Sequence, residues 1–172
     1  RIGYHRYTFP ETTAANIVID IGHKQGESSD VTQAVAQFVN ENEVEGYIET
    51  YPEYVKFCDP GKRVRMYFMA KFSKNPMGHL SFVDEDLKEN AIKTEGINNG
   101  LVLTFSMDQG EILEIQTGLS YTSIENARLN LKSESVGKTF DIVRKESKDI
   151  WNEKLNRIVI EGGQEKDKVK FY

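Results

Sequence analysis

From residue 4 to residue 121 the chain is a series of short alternating segments separated by turn residues, with no helical crossover among them. Alternation at period two sends successive side chains to opposite faces of a strand, so each segment presents one face to a core and one toward water. YHRYTF, residues 4–9, sets Tyr4, Arg6 and Thr8 against His5, Tyr7 and Phe9 before Pro10 stops the run. NIVIDIG at 16–22, DVTQAVAQFV at 30–39, EVEGYIETY at 43–51 and RVRMYFMAKF at 63–72 come next, and in the last of these Val64, Met66, Phe68 and Ala70 share a face. GLVLTFSM at 100–107 and EILEIQTGLSY at 111–121 flank Asp108-Gln109-Gly110, whose turn chemistry predicts a hairpin. At least seven strands at short spacing favour a mainly β chain, an antiparallel β-sandwich or barrel, over a parallel sheet. Residues 73–99 carry the weakest pattern and read mostly as loop.

After Tyr121 the period changes. Thr122-Ser123-Ile124-Glu125 fits a capping box with Thr122 as the cap, and Ile124, Ala127 and Leu131 then recur at helical spacing. A second helix runs from Thr139, with Phe140, Val143, Ile150, Trp151 and Leu155 on one stripe and Asp141 in the first turn, where the helix dipole favours an anion. NRIVIEGG at 156–163 reads as a short strand, and QEKDKVKFY as a polar tail. The division is therefore 1–121 for the sandwich and 122–172 for two linker helices with a short strand. A stripe four turns long needs an apolar partner, because short helices are marginal in water alone. With no initiator Met before Arg1 and a closing aromatic pair, Phe171-Tyr172, the chain reads as an excised piece.

The 172 residues allow one ordinary domain, and 38% apolar with 10% aromatic residues can fill its core. No apolar run reaches the roughly 18 residues that a spanning helix needs. A net charge of -5 with no Lys/Arg cluster argues against nucleic acid. Cys58 is the only cysteine, which excludes an internal disulfide and a thiolate metal site.

The motifs point away from chemistry on this chain. Gly118-Leu119-Ser120-Tyr121-Thr122 lacks the second Gly of a nucleophile elbow, so Ser120 is not read as a nucleophile. His5, His23 and His79 have no zinc-binding spacing. Asp84-Glu85-Asp86 lacks the alternating oxygens of a calcium loop and reads as a solvated turn. Glycoside hydrolysis needs two carboxyl groups placed by the fold, and spacing cannot select a pair among 27 acidic residues. Tyr47, Tyr51 and Tyr54, around Pro52, could stack on a sugar, although a half-buried rim is the plainer reading. Trp151 belongs to a core or an interface.

One resemblance adds to this. Gly118-Leu119-Ser120, Ser123, Glu125, Ala127, Asn130-Leu131 and Glu134, with Trp151, Leu155, Arg157-Ile158-Val159-Ile160 and Phe171-Tyr172 after them, resemble the family 92 glycoside hydrolases. RIGYHRYTFP resembles that family's Gly-x-His-Arg-Tyr-x-Phe-Pro strand, and Glu45-Gly46-Tyr47 with Tyr67-Phe68 through Phe72 resembles the family's next strands. The resemblance implies a calcium-dependent, inverting, exo-acting α-mannosidase, an α-1,2-mannosidase that removes mannose from glycans. It also implies an N-terminal sandwich of the super-sandwich type, joined by linking helices to an (α/α)6 barrel. The general acid, the general base and the calcium ligands belong mostly to that barrel, whose opening motif Phe-Tyr-Thr-x-Leu-Tyr is interrupted here at Tyr172. It assigns no catalytic, cofactor-binding or metal-binding residue to this chain; calcium and the mannose-containing glycan belong to the parent enzyme.

The resulting expectation is a noncatalytic scaffold and interdomain linker, whose partner is the catalytic barrel of the same chain. The alternative is a freestanding carbohydrate-binding sandwich using Tyr47 and Tyr51; an interaction sandwich without sugar affinity is a third reading. Dimerisation through exposed apolar surface and open strand edges is expected of the piece alone. The resemblance also implies export to the periplasm, cell surface or medium.

Overall fold

Alternation becomes pairing in the computed structural model, which describes residues 1–23 and 30–171. The described residues form ten strands in two antiparallel sheets. One sheet holds, in order, β1 (Ile2–Thr8), β10 (Ile112–Ser120), β5 (Val64–Phe72), β4 (Glu43–Thr50), β3 (Val31–Asn40) and β8 (Lys93–Gly96). The other holds β2 (Thr12–Asp20), β9 (Asn99–Met107), β6 (Gly78–Val83) and β7 (Asp86–Glu89). The expected antiparallel β-sandwich is therefore what these residues build. Register sorts the side chains: Val44 lies opposite Ala70, and Gly46 opposite Phe68, on the inner face of the six-stranded sheet. Leu101, Leu103, Phe105 and Met107 of β9 come from the other sheet to meet them, and all four are buried. The Phe72 and Phe105 rings join the layers with centroids 5.8 Å apart, and each such buried side chain stabilises the fold by about 1.5–3 kcal/mol.

Asn99 adds a polar tie between the layers. Its side-chain amide donates to the backbone carbonyls of Ala34 at 3.1 Å and Gly96 at 2.8 Å, and the residue is fully buried.

The hairpin expected around Asp108-Gln109-Gly110 does not form. β9 pairs with β2 and β6, whereas β10 pairs with β1 and β5, so the turn arches from one sheet to the other. The arch is held from outside: the Gly110 amide donates to the Phe9 carbonyl at 2.9 Å, and Lys74 grips the Glu111 carboxylate at 2.7 Å. Both strands then set their apolar faces against each other across the core, instead of lying edge to edge. Residues 73–99, read mostly as loop, contain β6, β7 and β8. β7 is exposed throughout, so no apolar alternation could mark it.

Four helices complete the described chain: α1 (Glu53–Cys58), α2 (Ile124–Ser135), α3 (Phe140–Leu155) and α4 (Glu165–Phe171). The chain divides into two compact units, Arg1–Val136 and Gly137–Tyr172, so α2 belongs with the sandwich. In the second unit the helix expected from Thr139 forms as α3, and Thr139 is its N-cap, its hydroxyl accepting from the Ile142 amide. No residue of α3 is buried, and Trp151 is 64% exposed. The strand expected at 156–163 is absent. The Arg157 and Ile158 amides turn back onto the Lys154 and Leu155 carbonyls, and Gly162 and Gly163 both take positive φ of 74°, so turns interrupt the extended run at both of its ends. The segment read as a polar tail instead contains the whole of α4, with Glu165 and Asp167 in its first turn and Lys168 and Lys170 in its last. Tyr172 of the closing aromatic pair lies outside the described residues.

Candidate functional site

The seat of α2 on the six-stranded sheet is the most built feature of the first unit. Ser123, not Thr122, is the N-cap: its hydroxyl accepts from the Asn126 amide at 3.1 Å. Thr122 Oγ1 accepts instead from the Asn126 side chain at 2.7 Å, so the cap lies one residue later than expected and Asn126, not Glu125, takes the third helical position that a capping box gives to Glu or Gln. Below the helix lies Gly118, where an added Cβ would stand 2.2 Å from the Ala127 carbonyl oxygen and 3.0 Å from Leu131 Cβ. Only a residue without a side chain lets the backbones come this close. Ala127 and Leu131 are buried, as is Met69, the partner of Gly118 on β5. Asn130 donates to the Leu119 carbonyl at 2.8 Å.

Arg128 pins the same helix to β4. Its guanidinium reaches Glu43 at 2.9 Å and Glu45 at 2.8 Å. Burial pushes the Glu43 carboxyl up, but the hydrogen bond and charge of Arg128, with Lys71 adding, outweigh it and hold the group below the usual carboxylate range. Burial opposes the charge of Arg128 in turn, and its two carboxylate partners raise it above the ordinary guanidinium value.

Beyond α2 the outer face of the sheet carries rings capped by cations. Tyr47 and Tyr67 stand opposite each other on β4 and β5, with centroids 6.0 Å apart. The Arg65 guanidinium lies 4.7 Å from the Tyr47 ring and bonds Glu49 at 2.7 Å. Tyr51 has the Arg63 guanidinium 3.7 Å over its ring and Lys56 at 5.2 Å. Tyr54 projects from α1 into solvent. The three tyrosines singled out in the sequence therefore do not form one platform: two have a ring face taken by a cation, a contact worth about 0.5–1 kcal/mol at an exposed site, and the third stands apart from these contacts.

A cavity of about 480 Å³ opens at one end of the sandwich, lined by Asp20, His23, Asp30, Phe82, Asp84 and Asn98 among others. Asp84 sits at φ 52°, and its carboxylate accepts from the Asn98 side chain at 2.9 Å. This is the first residue of the acidic turn read from the sequence, and it closes the hairpin between β6 and β7. His79 packs at a tilt of 44° against Phe38 with centroids 4.3 Å apart, His5 stacks beside Tyr7, and Ser120 spends its hydroxyl on the turn at Thr122. Among the described residues no three His, Cys, Asp or Glu side chains gather as metal donors. The described residues therefore do not fit a calcium ion, which prefers six to eight oxygens.

The model of the glycosyl hydrolase family 92 N-terminal domain matches residues 1–120. The chain belongs to glycosyl hydrolase family 92. The model of that family's catalytic domain matches residues 126–172, so the changeover falls at the cap of α2. Among solved structures, the GH92 α-mannosidase BT3965 from Bacteroides thetaiotaomicron, in complex with mannoimidazole, is 25% identical with a TM-score of 0.78. That match covers 95% of this chain and 21% of that one. The GH92 inverting mannosidase BT2199 from Bacteroides thetaiotaomicron VPI-5482 is 21% identical at a TM-score of 0.76, over 95% of this chain and 21% of its own. The GH92 glycosyl hydrolase CcMan5 is 23% identical at 0.74, over 95% and 20%. The last two speak to fold alone. This family 92 chain spans about one fifth of the length of the solved relatives it matches. No curated protein matches it.

Proposed function

We propose that this chain is the noncatalytic scaffold of an exo-acting, inverting α-mannosidase: the later part of its N-terminal sandwich and the entry to its catalytic domain. The observation that supports this reading best is the order of the two family matches, 1–120 and then 126–172, meeting at α2. At that junction Gly118, Arg128 and Asn130 tie the helix to the sheet. A helix held by a backbone close approach and two ion pairs gives the chain a fixed direction as it leaves the sandwich. The task of this chain is then to orient the barrel of the parent enzyme. Calcium and the mannose-containing glycan belong to that barrel, and the parent is an exported enzyme acting on α-1,2-linked mannose.

The test is to assay the parent enzyme and this chain side by side for calcium-dependent release of mannose from α-1,2-mannobiose. Activity in the parent alone is the expected result. Turnover by this chain, surviving removal of contaminating enzyme, would overturn the scaffold role; inactivity of both would overturn the mannosidase reading.

A further inference from the structure

We draw no further inference here: the strongest candidate, the cavity at the end of the sandwich lined by Asp20, Asp30, Asp84 and Phe82 among others, has acidic side chains along its wall with no second observation that points to a ligand.

Discussion

Replacing Gly118 by Ala tests whether α2 is seated by backbone contact. The new Cβ would meet the Ala127 carbonyl oxygen at 2.2 Å, and a backbone atom cannot rotate away as a flexible side chain can. Ordinary contact requires about 1 Å more, so α2 must shift and loosen Leu131 and Ala127, the two apolar residues it buries. Overpacking of this kind costs about 1–3 kcal/mol. The unfolded chain complicates the reading, because any Gly→Ala change removes conformational freedom there and gains about 0.4–1 kcal/mol. Gly78→Ala supplies the control: it is also a strand glycine with no positive φ, and a Cβ there meets nothing within 4 Å. The difference between the two variants then isolates the clash. Urea denaturation monitored by far-ultraviolet circular dichroism should place Gly118→Ala about 1–3 kcal/mol below Gly78→Ala, or about 2–12 °C lower in Tm for a chain of this size. Equal stability within about 0.5 kcal/mol, the usual range for a surface change, would refute the claim that this approach seats the helix.

How much of the fold is legible in the sequence depends on which interactions are local. Alternation in EVEGYIETY and RVRMYFMAKF is a strand-level signal, and both became central strands with Val44, Phe68 and Ala70 inward. Which strand lies beside which is not local: a turn such as Asp108-Gln109-Gly110 is compatible with a hairpin and with an arch between sheets, and only the partners β2 and β1 decide. Caps are local yet ambiguous, since Thr122 and Ser123 both offer a hydroxyl; the helix began after the second, whose oxygen reaches the Asn126 amide. The apolar run at 156–163 carried β-branched residues without a partner edge, and propensity without a ladder did not make a strand. The cation-capped tyrosines could not be foreseen either. Arg63 and Arg65 lie 12 and 18 residues from the rings they cover, and only the β4–β5 register brings Arg65 beside Tyr47. Gly118 was legible through resemblance as a matching position, but its physical reason appears only once α2 lies across the sheet.

Charge and metal are open to tests of the same kind. EDTA should leave the Tm of this chain unchanged while abolishing mannose release by the parent enzyme; a fall in the Tm of this chain would show a calcium site among its own residues. Arg128→Met should destabilise by about 1–3 kcal/mol at neutral pH, because charge-assisted hydrogen bonds are lost and two half-buried carboxylates are left side by side. The Glu43 share of that loss has a defined pH window. Its folded value lies below the 4.5 of the free side chain, so its stabilisation is present above that pH and fades as pH falls through the depressed value. Denaturation midpoints of the two proteins should therefore converge in acid, and a constant gap across that window would sink the assignment. Asn99→Asp reverses the sign. A carboxylate there would face the Ala34 and Gly96 carbonyls that now accept from the amide, an uncompensated buried charge that costs about 3–5 kcal/mol. Burial and the facing carbonyls would raise the pKa of the new carboxyl in the folded state, so the variant should regain stability as pH falls through that raised value toward the unfolded one. The protonated acid can donate to one of those carbonyls, which is why the recovery should be partial. A variant whose stability, measured against the unaltered chain, does not rise on acidification would show that Asn99 is not the buried tie between the sheets.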